Sequence, residues 1–312
     1  MRRILGAATA LALLLPLSAC AGDGGTGADR PLTVYATTGY IADAVRTIAP
    51  DAQVTTMVGP GGDPHTYQPS TRDVETLRTS DIVFSNGLHL EAQMITQLES
   101  LGDRHRALGD RLPQDLLLPW DETDPDGNEL FDPHVWNSPD AWQLVVDDIA
   151  ERLAEEDPDN AQTYRDNARA YNKQIAELAA HSQRELADLD APRILVTGHD
   201  AFGYFGQTFD MEVRATDFIS TEAVLSPTEL SGLADYIADN RIPVIFRDNQ
   251  ASPQAITSLE EAVASRGWSV TVSAEELFAD SLGPEAPVDT YLGAFEHNVS
   301  TVARGLGARN AG

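Results

Sequence analysis

Three histidines lie in short, irregular segments of the kind that hold an imidazole ring in one orientation. His65 lies in GGDPHTYQPS, His134 lies in FDPHVWNSPDAW and His199 lies in LVTGHDAFGYFG. The sequence Asp-Pro-His occurs twice, and the fixed φ of proline lowers the entropy that is lost when the ring is ordered. Neutral imidazole is a common ligand of zinc and of other transition metals. The three segments therefore predict a metal site to which distant parts of the chain contribute.

The residues beside these histidines favour the same interpretation. Asp63 and Asp132 precede the two Asp-Pro-His histidines by two positions, where a carboxylate can cap a turn or accept an imidazole N–H bond. Tyr67 and Trp136 follow them by two positions, and we expect these rings to wall the site. For any one segment alone, a loop histidine that is only polar surface remains the commoner case.

The elements that must position these loops follow the pattern of parallel α/β units, in which short β-type runs alternate with longer helical ones. The predicted strands are Leu32–Ala36, Val54–Val58, Ile82–Ser85, Arg106–Leu108, Ile194–Thr197, Glu212–Ala215, Val244–Phe246 and Ser269–Val272. Parallel sheets bind ligands beyond the carboxyl ends of their strands, which is where His65 and His199 fall. We therefore predict an α/β fold with two lobes, each a mainly parallel four-stranded sheet flanked by helices.

Residues 157–190 predict one long, rigid helix that joins the two lobes. Tyr164, Ala168 and Tyr171 fall at helical spacing, and no proline or glycine occurs from residue 159 to residue 190. A stiff connection makes large domain closure unfavourable. The domains expected from this organisation are a signal peptide (1–19), a lipidated tether (20–30), an N-terminal α/β lobe (31–156), the linking helix (157–190) and a C-terminal α/β lobe (191–312).

The first twenty residues, MRRILGAATALALLLPLSAC, have the features of an export signal. Two arginines precede an apolar run that is short for a membrane span, and the run ends in Leu17-Ser18-Ala19-Cys20. This ending resembles the lipobox of bacterial lipoproteins, in which Cys20 becomes the lipidated first residue of the mature protein. The alternative is an ordinary secretory signal with an incidental cysteine. We expect an exported protein, anchored by lipid to the outer face of the bacterial cell membrane or else periplasmic.

Composition excludes several classes of site and partner. Cys20 is the only cysteine, so neither a disulfide nor a thiolate metal site can form within the chain. The formal net charge is −28, which argues against nucleic acid as a partner and against electrostatic docking on anionic lipid. The membrane is therefore expected as a partner only through the lipid anchor.

The chain resembles the metal-receptor subunits of zinc and manganese ABC transporters, the ZnuA-like and TroA-like solute-binding proteins of cluster A-I. The motifs that carry this resemblance span nearly everything after the tether: GDPHTYQPS, SNGLHLEAQM, DPHVW, TGHDAFGYFG, ISTEA and FADSLGPEAPVDTYLGAFEHNV. The family has four metal ligands, one per motif, and the resemblance implies that they are His65, His134, His199 and Asp280. The role of Asp280 depends mainly on the resemblance, because the aspartate in FADSLGP would otherwise be interpreted as a turn residue.

Two segments depart from the family pattern. Many zinc members have a long histidine-rich loop before the second ligand, whereas residues 119–131 here are acidic and lack histidine, and we expect a disordered surface loop. Relatives often have Phe-x-Glu after the third strand of the second lobe, whereas this chain has Phe246-Arg247-Asp248, which puts any shared contact in doubt. His105, His181 and His297 are assigned surface or structural roles, whereas His89 belongs to a motif of the family but not to its usual ligand set.

The predicted function is that of an extracytoplasmic receptor, not an enzyme. Three imidazoles and one carboxylate suit Zn²⁺, with Mn²⁺ as the alternative, and the resemblance implies delivery of the captured ion to a membrane ABC permease by a monomer. A metal-dependent hydrolase is the enzymatic alternative, but the chain has no His-Glu-x-x-His motif. A lipid-anchored adhesin with incidental histidines is a third possibility, and it leaves the paired Asp-Pro-His segments unexplained.

Overall fold

The first half of the chain builds a four-stranded parallel sheet. In this computed structural model, which describes residues 30–124, 127–221 and 225–307, the strand order is β2-β1-β3-β4. The strands are β1 (Thr33–Ala36), β2 (Gln53–Thr56), β3 (Ile82–Ser85) and β4 (His105–Ala107). All four residues of β3 are buried, as expected for a central parallel strand with both faces covered. The flanking helices are α1 (Gly39–Ile48), α2 (Thr71–Thr79), α3 (Ile95–Glu99) and α4 (Pro139–Glu156).

The second half contains two parallel strand pairs that adjoin one another. Strands β7 (Ile194–Thr197) and β8 (Glu212–Ala215) form one pair, and β9 (Val244–Ile245) and β10 (Thr271–Val272) form the other. The N–H group of Phe246 donates to the Val196 carbonyl at 2.7 Å, which links β9 to β7. The helices are α6 (Gly203–Phe209), α7 (Pro227–Asp239), α8 (Pro253–Ala264) and α9 (Tyr291–Gly305). The predicted fold class is thereby confirmed, with all eight predicted strands at or within a few residues of their expected positions.

Helix α5 (Ala161–Glu185) lies between the two sheets in the sequence and has 25 residues, or about 37 Å of length. It is shorter at both ends than the predicted range of 157–190. Asp157 accepts a hydrogen bond from the Tyr164 hydroxyl at 2.7 Å, so the segment before α5 turns back onto the helix instead of continuing it. The hydroxyl of Tyr171 donates to Asp43 of α1 at 2.8 Å, which fixes α5 against the first half. The domain boundaries themselves stay a prediction.

One apolar core extends through both halves. Its buried members include Val34 and Phe84 from the first sheet, Leu195 and Phe246 from the second half, and Tyr171 from α5. The chain from Pro31 onward accordingly forms one compact unit. The signal peptide and Cys20 lie outside the described residues. Within the described ranges, no helix is both long enough and apolar enough to span a bilayer.

The described parts of the acidic segment, 119–124 and 127–131, include two paired strands of a hairpin, so the prediction of a disordered loop is wrong for them. Strands β5 (Pro119–Thr123) and β6 (Glu129–Phe131) pair antiparallel, with Pro119 opposite Phe131 and Trp120 opposite Leu130. These apolar cross-strand pairs stabilise the hairpin despite its acidic composition. The Tyr204 hydroxyl of α6 anchors its base, because it accepts from the Leu118 N–H group at 3.1 Å and donates to the Asp132 carbonyl at 2.8 Å.

Candidate metal centre

The four expected ligands come together in one buried cluster. His65 follows β2, His134 lies between β6 and α4, His199 follows β7, and Asp280 follows β10. Each of them is at most 3% exposed, and their ligand atoms lie within 4.8 Å of one another. Three of these loops follow parallel strands, as the sheet geometry predicts, and the loop of His134 after the antiparallel strand β6 joins them. Within the described residues, this is the only group of three or more His, Cys, Asp or Glu side chains with metal-site spacing.

The spacing between the ligand atoms matches a tetrahedral site. His134 Nε2 lies 3.3 Å from His65 Nε2 and 3.2 Å from His199 Nε2. The Asp280 carboxylate lies 3.5 Å from His65 Nε2 and 3.3 Å from each of the other two nitrogens. Ligands at zinc bond lengths of about 2.0–2.1 Å occupy tetrahedron corners about 3.3–3.4 Å apart. The four residues therefore lie close to the arrangement that would enclose a zinc-sized ion.

The carboxylate oxygens of Asp280 add a second test of fit. Both are buried, and neither accepts a hydrogen bond from the described residues. Oδ1 faces His134 and Oδ2 faces His65 and His199, so both oxygens are directed into the cluster. A buried carboxylate that accepts no close hydrogen bond, with ring nitrogens no nearer than 3.3 Å, is costly unless a cation compensates it. A cation among the three rings would compensate it, with one oxygen or both as ligands.

The His65 loop is closed by Asp63, as the sequence predicts. Asp63 Oδ1 accepts the backbone N–H bond of His65 at 2.8 Å, and Oδ2 accepts from the Thr66 hydroxyl at 2.8 Å. Oδ2 also accepts from the Thr221 hydroxyl at 2.6 Å, a contact across 158 residues. The loop is therefore fastened to the second half of the chain as well as to itself. Tyr67 does not wall the site, because its hydroxyl donates to Asp73 instead.

Asp132 performs both of the roles predicted for it. Its Oδ1 accepts the backbone N–H bond of His134 at 2.9 Å and lies 2.7 Å from His134 Nδ1. This contact places the ring proton on Nδ1 and leaves the lone pair of Nε2 free for a metal. Trp136 packs edge-on against the His134 ring with 5.3 Å between centroids, so it walls the site as expected.

The loop of His199 depends on Asp248, the residue whose contribution was in doubt. Asp248 Oδ2 accepts the backbone N–H bonds of Gly198 at 2.8 Å and His199 at 2.9 Å. A side chain at Gly198 would come within 2.2 Å of the Ala251 Cβ, so only glycine allows this approach. Aspartate here supplies a buried carboxylate in the position where relatives often have glutamate.

A pair of aromatic residues from the first half positions Asp280. The Tyr40 hydroxyl and the Trp136 indole N–H group both donate to the carbonyl of Ala279 at 2.9 Å. The two rings stack with 4.9 Å between centroids. The N–H group of Ala279 donates to the Asn249 side chain at 2.8 Å. Sequence reasoning missed Tyr40 and Asn249, and nothing in their local sequence marks them.

The SNGLHLE segment supports the His134 loop and not the metal directly. The Asn86 side chain donates to the Pro133 carbonyl at 2.9 Å. Glu91, fully enclosed, accepts from the Asn86 N–H group at 2.8 Å, from the Gly87 N–H group at 3.1 Å and from the Thr37 hydroxyl. Together these contacts fix the carbonyl that immediately precedes His134.

The other histidines lie outside the cluster, in agreement with the roles assigned to them. His105 Nε2 lies 2.8 Å from the Ser85 hydroxyl, and His297 Nε2 lies 2.9 Å from the Glu276 carbonyl. His181 lies 3.5 Å from Glu185 one turn along α5. His89 occupies the left-handed backbone region with φ of 68°.

Charge is unevenly distributed among the four ligands. Burial lowers the pKa of His65 to about 3. Burial opposes protonation of His134 as well, but Asp132 and Asp280 outweigh it and raise its pKa to about 10. Burial also acts to lower the pKa of His199, but the Asp280 carboxylate outweighs this effect, so the pKa of His199 is raised. Burial acts to raise the pKa of Asp280, yet His199 and His134 hold it well below its usual range. A metal entering at neutral pH must therefore displace a proton from His134, and the raised pKa of His199 favours proton release from that ring as well.

Comparison with known proteins agrees with this geometry. Residues 34–305 match the family described as ZnuA, zinc-uptake complex component A, periplasmic. The chain belongs to the ZnuA family. The resemblance noted from the motifs is thereby confirmed, and so is the expectation of a transport receptor in place of an enzyme.

Several curated relatives cover almost the whole ZnuA-family chain. It is 34% identical to the manganese-binding lipoprotein MntA of Bacillus subtilis, over 98% of this chain and 100% of that protein. It is 34% identical to the zinc-binding protein TroA of Treponema pallidum, over 97% and 98% of the two chains. It is 30% identical to the iron-binding protein YfeA of Yersinia pestis, over 96% and 94%. The solved structure of periplasmic TroA from Treponema pallidum superposes with a TM-score of 0.83 at 35% identity, covering 90% of this chain and 100% of that one.

Proposed function

We propose that this ZnuA-family chain is an extracytoplasmic lipoprotein that captures Zn²⁺ with His65, His134, His199 and Asp280 and delivers it to an ABC permease. The ion is cargo, and the protein's contribution is a closed site that binds it without activating water. The proposal extends to anchoring through lipidated Cys20 and to a monomeric state. The family and the relatives named as lipoproteins support export and delivery.

The nearly tetrahedral spacing of the four ligand groups is the observation that supports zinc as the bound ion. A filled shell of three imidazoles and a carboxylate is typical of Zn²⁺, whereas Mn²⁺ prefers more ligands and more oxygen. Manganese is the rival, and a specific observation favours it. Both oxygens of Asp280 face the cluster, so bidentate binding would provide a fifth ligand. The relatives do not decide between the two, since their names divide among manganese, zinc and iron.

Elemental analysis of the protein purified without added metal tests the proposal directly. We expect zinc close to one ion per chain, and competition calorimetry should place the affinity for zinc above that for manganese. His134→Ala should abolish high-affinity binding of both metals, because it removes the central ring of the cluster. His181→Ala is the matched control, since that histidine is exposed on α5. Manganese or iron in the purified protein, or binding that survives His134→Ala, would refute the proposal.

A further inference from the structure

The ring of His199 carries an unexplained polar atom. His199 is fully buried, and its Nε2 is directed into the cluster. Its Nδ1 is also buried and has no hydrogen-bond partner among the described residues. A neutral histidine that offers Nε2 to a metal carries its proton on Nδ1, and that N–H group needs an acceptor. His134 has such an acceptor in Asp132, whereas none contacts His199 directly.

Asp217, near the His199 loop, has a buried acceptor oxygen that lacks a donor. It is 6% exposed, and its Oδ1 is buried without a hydrogen-bond partner in the described part of the chain. The backbone N–H group of Asp217 donates to the Gly198 carbonyl at 2.9 Å, so the residue lies beside the one that precedes His199. Buried polar atoms are rarely left without partners, and here a donor and an acceptor without partners lie on two segments that share a backbone hydrogen bond.

We propose that Asp217 is a positioning residue for the metal ligand His199, whose Nδ1–H group donates to the Asp217 carboxylate directly or through one buried water. This inference deepens the proposed function and depends on it. The contact would satisfy both buried atoms, fix the ring proton on Nδ1 and increase the basicity of Nε2. Asp248 would then fix the backbone of His199, and Asp217 would fix its ring.

Electrostatics support the placement. Burial raises the pKa of Asp217, and His199 is the neighbour that opposes this rise. Burial also raises the pKa of Asp200, which lies near the same ring, to about 6, but Asp200 is less buried than Asp217 and has no fully buried side-chain oxygen that lacks a hydrogen-bond partner. Asp200 therefore provides a matched control, since it carries the same charge near the same ring.

Three variants of the mature chain show whether zinc affinity depends on the Asp217 acceptor oxygen or only on negative charge near His199. Asp217→Leu fills similar volume without an acceptor, and it should lower zinc affinity by about 10–100-fold. Asp217→Asn retains an acceptor oxygen and should recover most of that loss. Asp200→Asn removes a charge but no buried acceptor, and it should stay within about threefold of the wild-type affinity. An effect of Asp200→Asn as large as that of Asp217→Leu, or no rescue by asparagine, would overturn the proposal.

A second measurement does not depend on metal. Nitrogen-15 NMR of the metal-free protein, titrated to a pH at which the His199 ring is neutral, reports which ring nitrogen carries the proton. We expect the Nδ1–H form of His199 in the wild type and in Asp200→Asn, and a shift toward the Nε2–H form in Asp217→Leu. An Nε2–H form in the wild type would overturn the proposal even if Asp217→Leu failed to fold. Failure of wild-type zinc binding with the Nδ1–H form intact would instead refute the proposed function.

Discussion

Replacing Asp248 by alanine should destabilise the protein even without metal. Its Oδ2 accepts two fully buried N–H bonds, those of Gly198 and His199, and its Oδ1 accepts a third from Gln250 at 3.0 Å. Gln250 is only partly buried, so water can replace that bond. The other two donors would be left unsatisfied at about 1–3 kcal/mol each, and the expected loss is about 2–6 kcal/mol in the free energy of unfolding. Such a loss is a large part of the total stability of a typical domain, about 5–15 kcal/mol.

The asparagine variant gives the matched comparison. Both buried N–H groups bond to one oxygen of Asp248, so the single oxygen of asparagine can accept both of them. Asp248→Asn should therefore lose about 1 kcal/mol, mainly at the partly buried Gln250 bond. Urea unfolding of the metal-free proteins, followed by circular dichroism, measures both losses. Exposed Asp239→Ala serves as the neutral control. Equal losses for alanine and asparagine, or a loss below about 1 kcal/mol for alanine, would refute the reasoning.

Further predictions concern the metal, the protons and the anchor. His199→Glu should narrow the zinc-over-manganese affinity ratio by roughly tenfold, because a carboxylate replaces an imidazole; an unchanged ratio in competition calorimetry would remove His199 from the ligand set. Binding at neutral pH should release protons, first that of His134, whose pKa is about 10, and affinity should rise with pH until the raised pKa values of His134 and His199 are passed. Calorimetry in buffers of different ionisation enthalpy counts those protons, and zero release at pH 7 would contradict the charge assignment. Cys20→Ala should release the protein from membranes and leave metal affinity unchanged; a variant that still fractionated with membranes would contradict lipid anchoring.

The sequence was most informative where one short segment carried the whole signal. The central strands were predictable because Ile82–Ser85 and Ile194–Thr197 are continuous apolar runs bounded by polar residues. His65 and His134 were predictable because Asp-Pro-His joins a ligand, a rigid backbone and a nearby acceptor within three residues. In each case the decisive contacts are local, so the chain displays them in order.

Contacts between distant segments were not accessible in the same way. The Tyr40 hydroxyl contacts the Ala279 carbonyl across 239 residues, and no local pattern relates them. Asp280 was assigned only through the family resemblance, because an aspartate in a turn has many commoner roles. The acidic hairpin was misjudged because the number of charges outweighed the few apolar residues Trp120, Leu130 and Phe131, whose cross-strand contacts appear only when the strands face each other.

The continuous apolar core that joins both halves also bears on how quickly the ion can leave. Opening the cluster by separating the halves would expose buried aromatic residues that pack across them, such as Tyr40, Trp142 and Tyr291, at about 1.5–3 kcal/mol for each large side chain. Spontaneous escape must therefore proceed through smaller displacements of the ligand loops, and residence times should be long. A receptor built this way holds its cargo against dilution outside the cell. The work needed to empty it then falls to the transporter, which alone is coupled to an energy source.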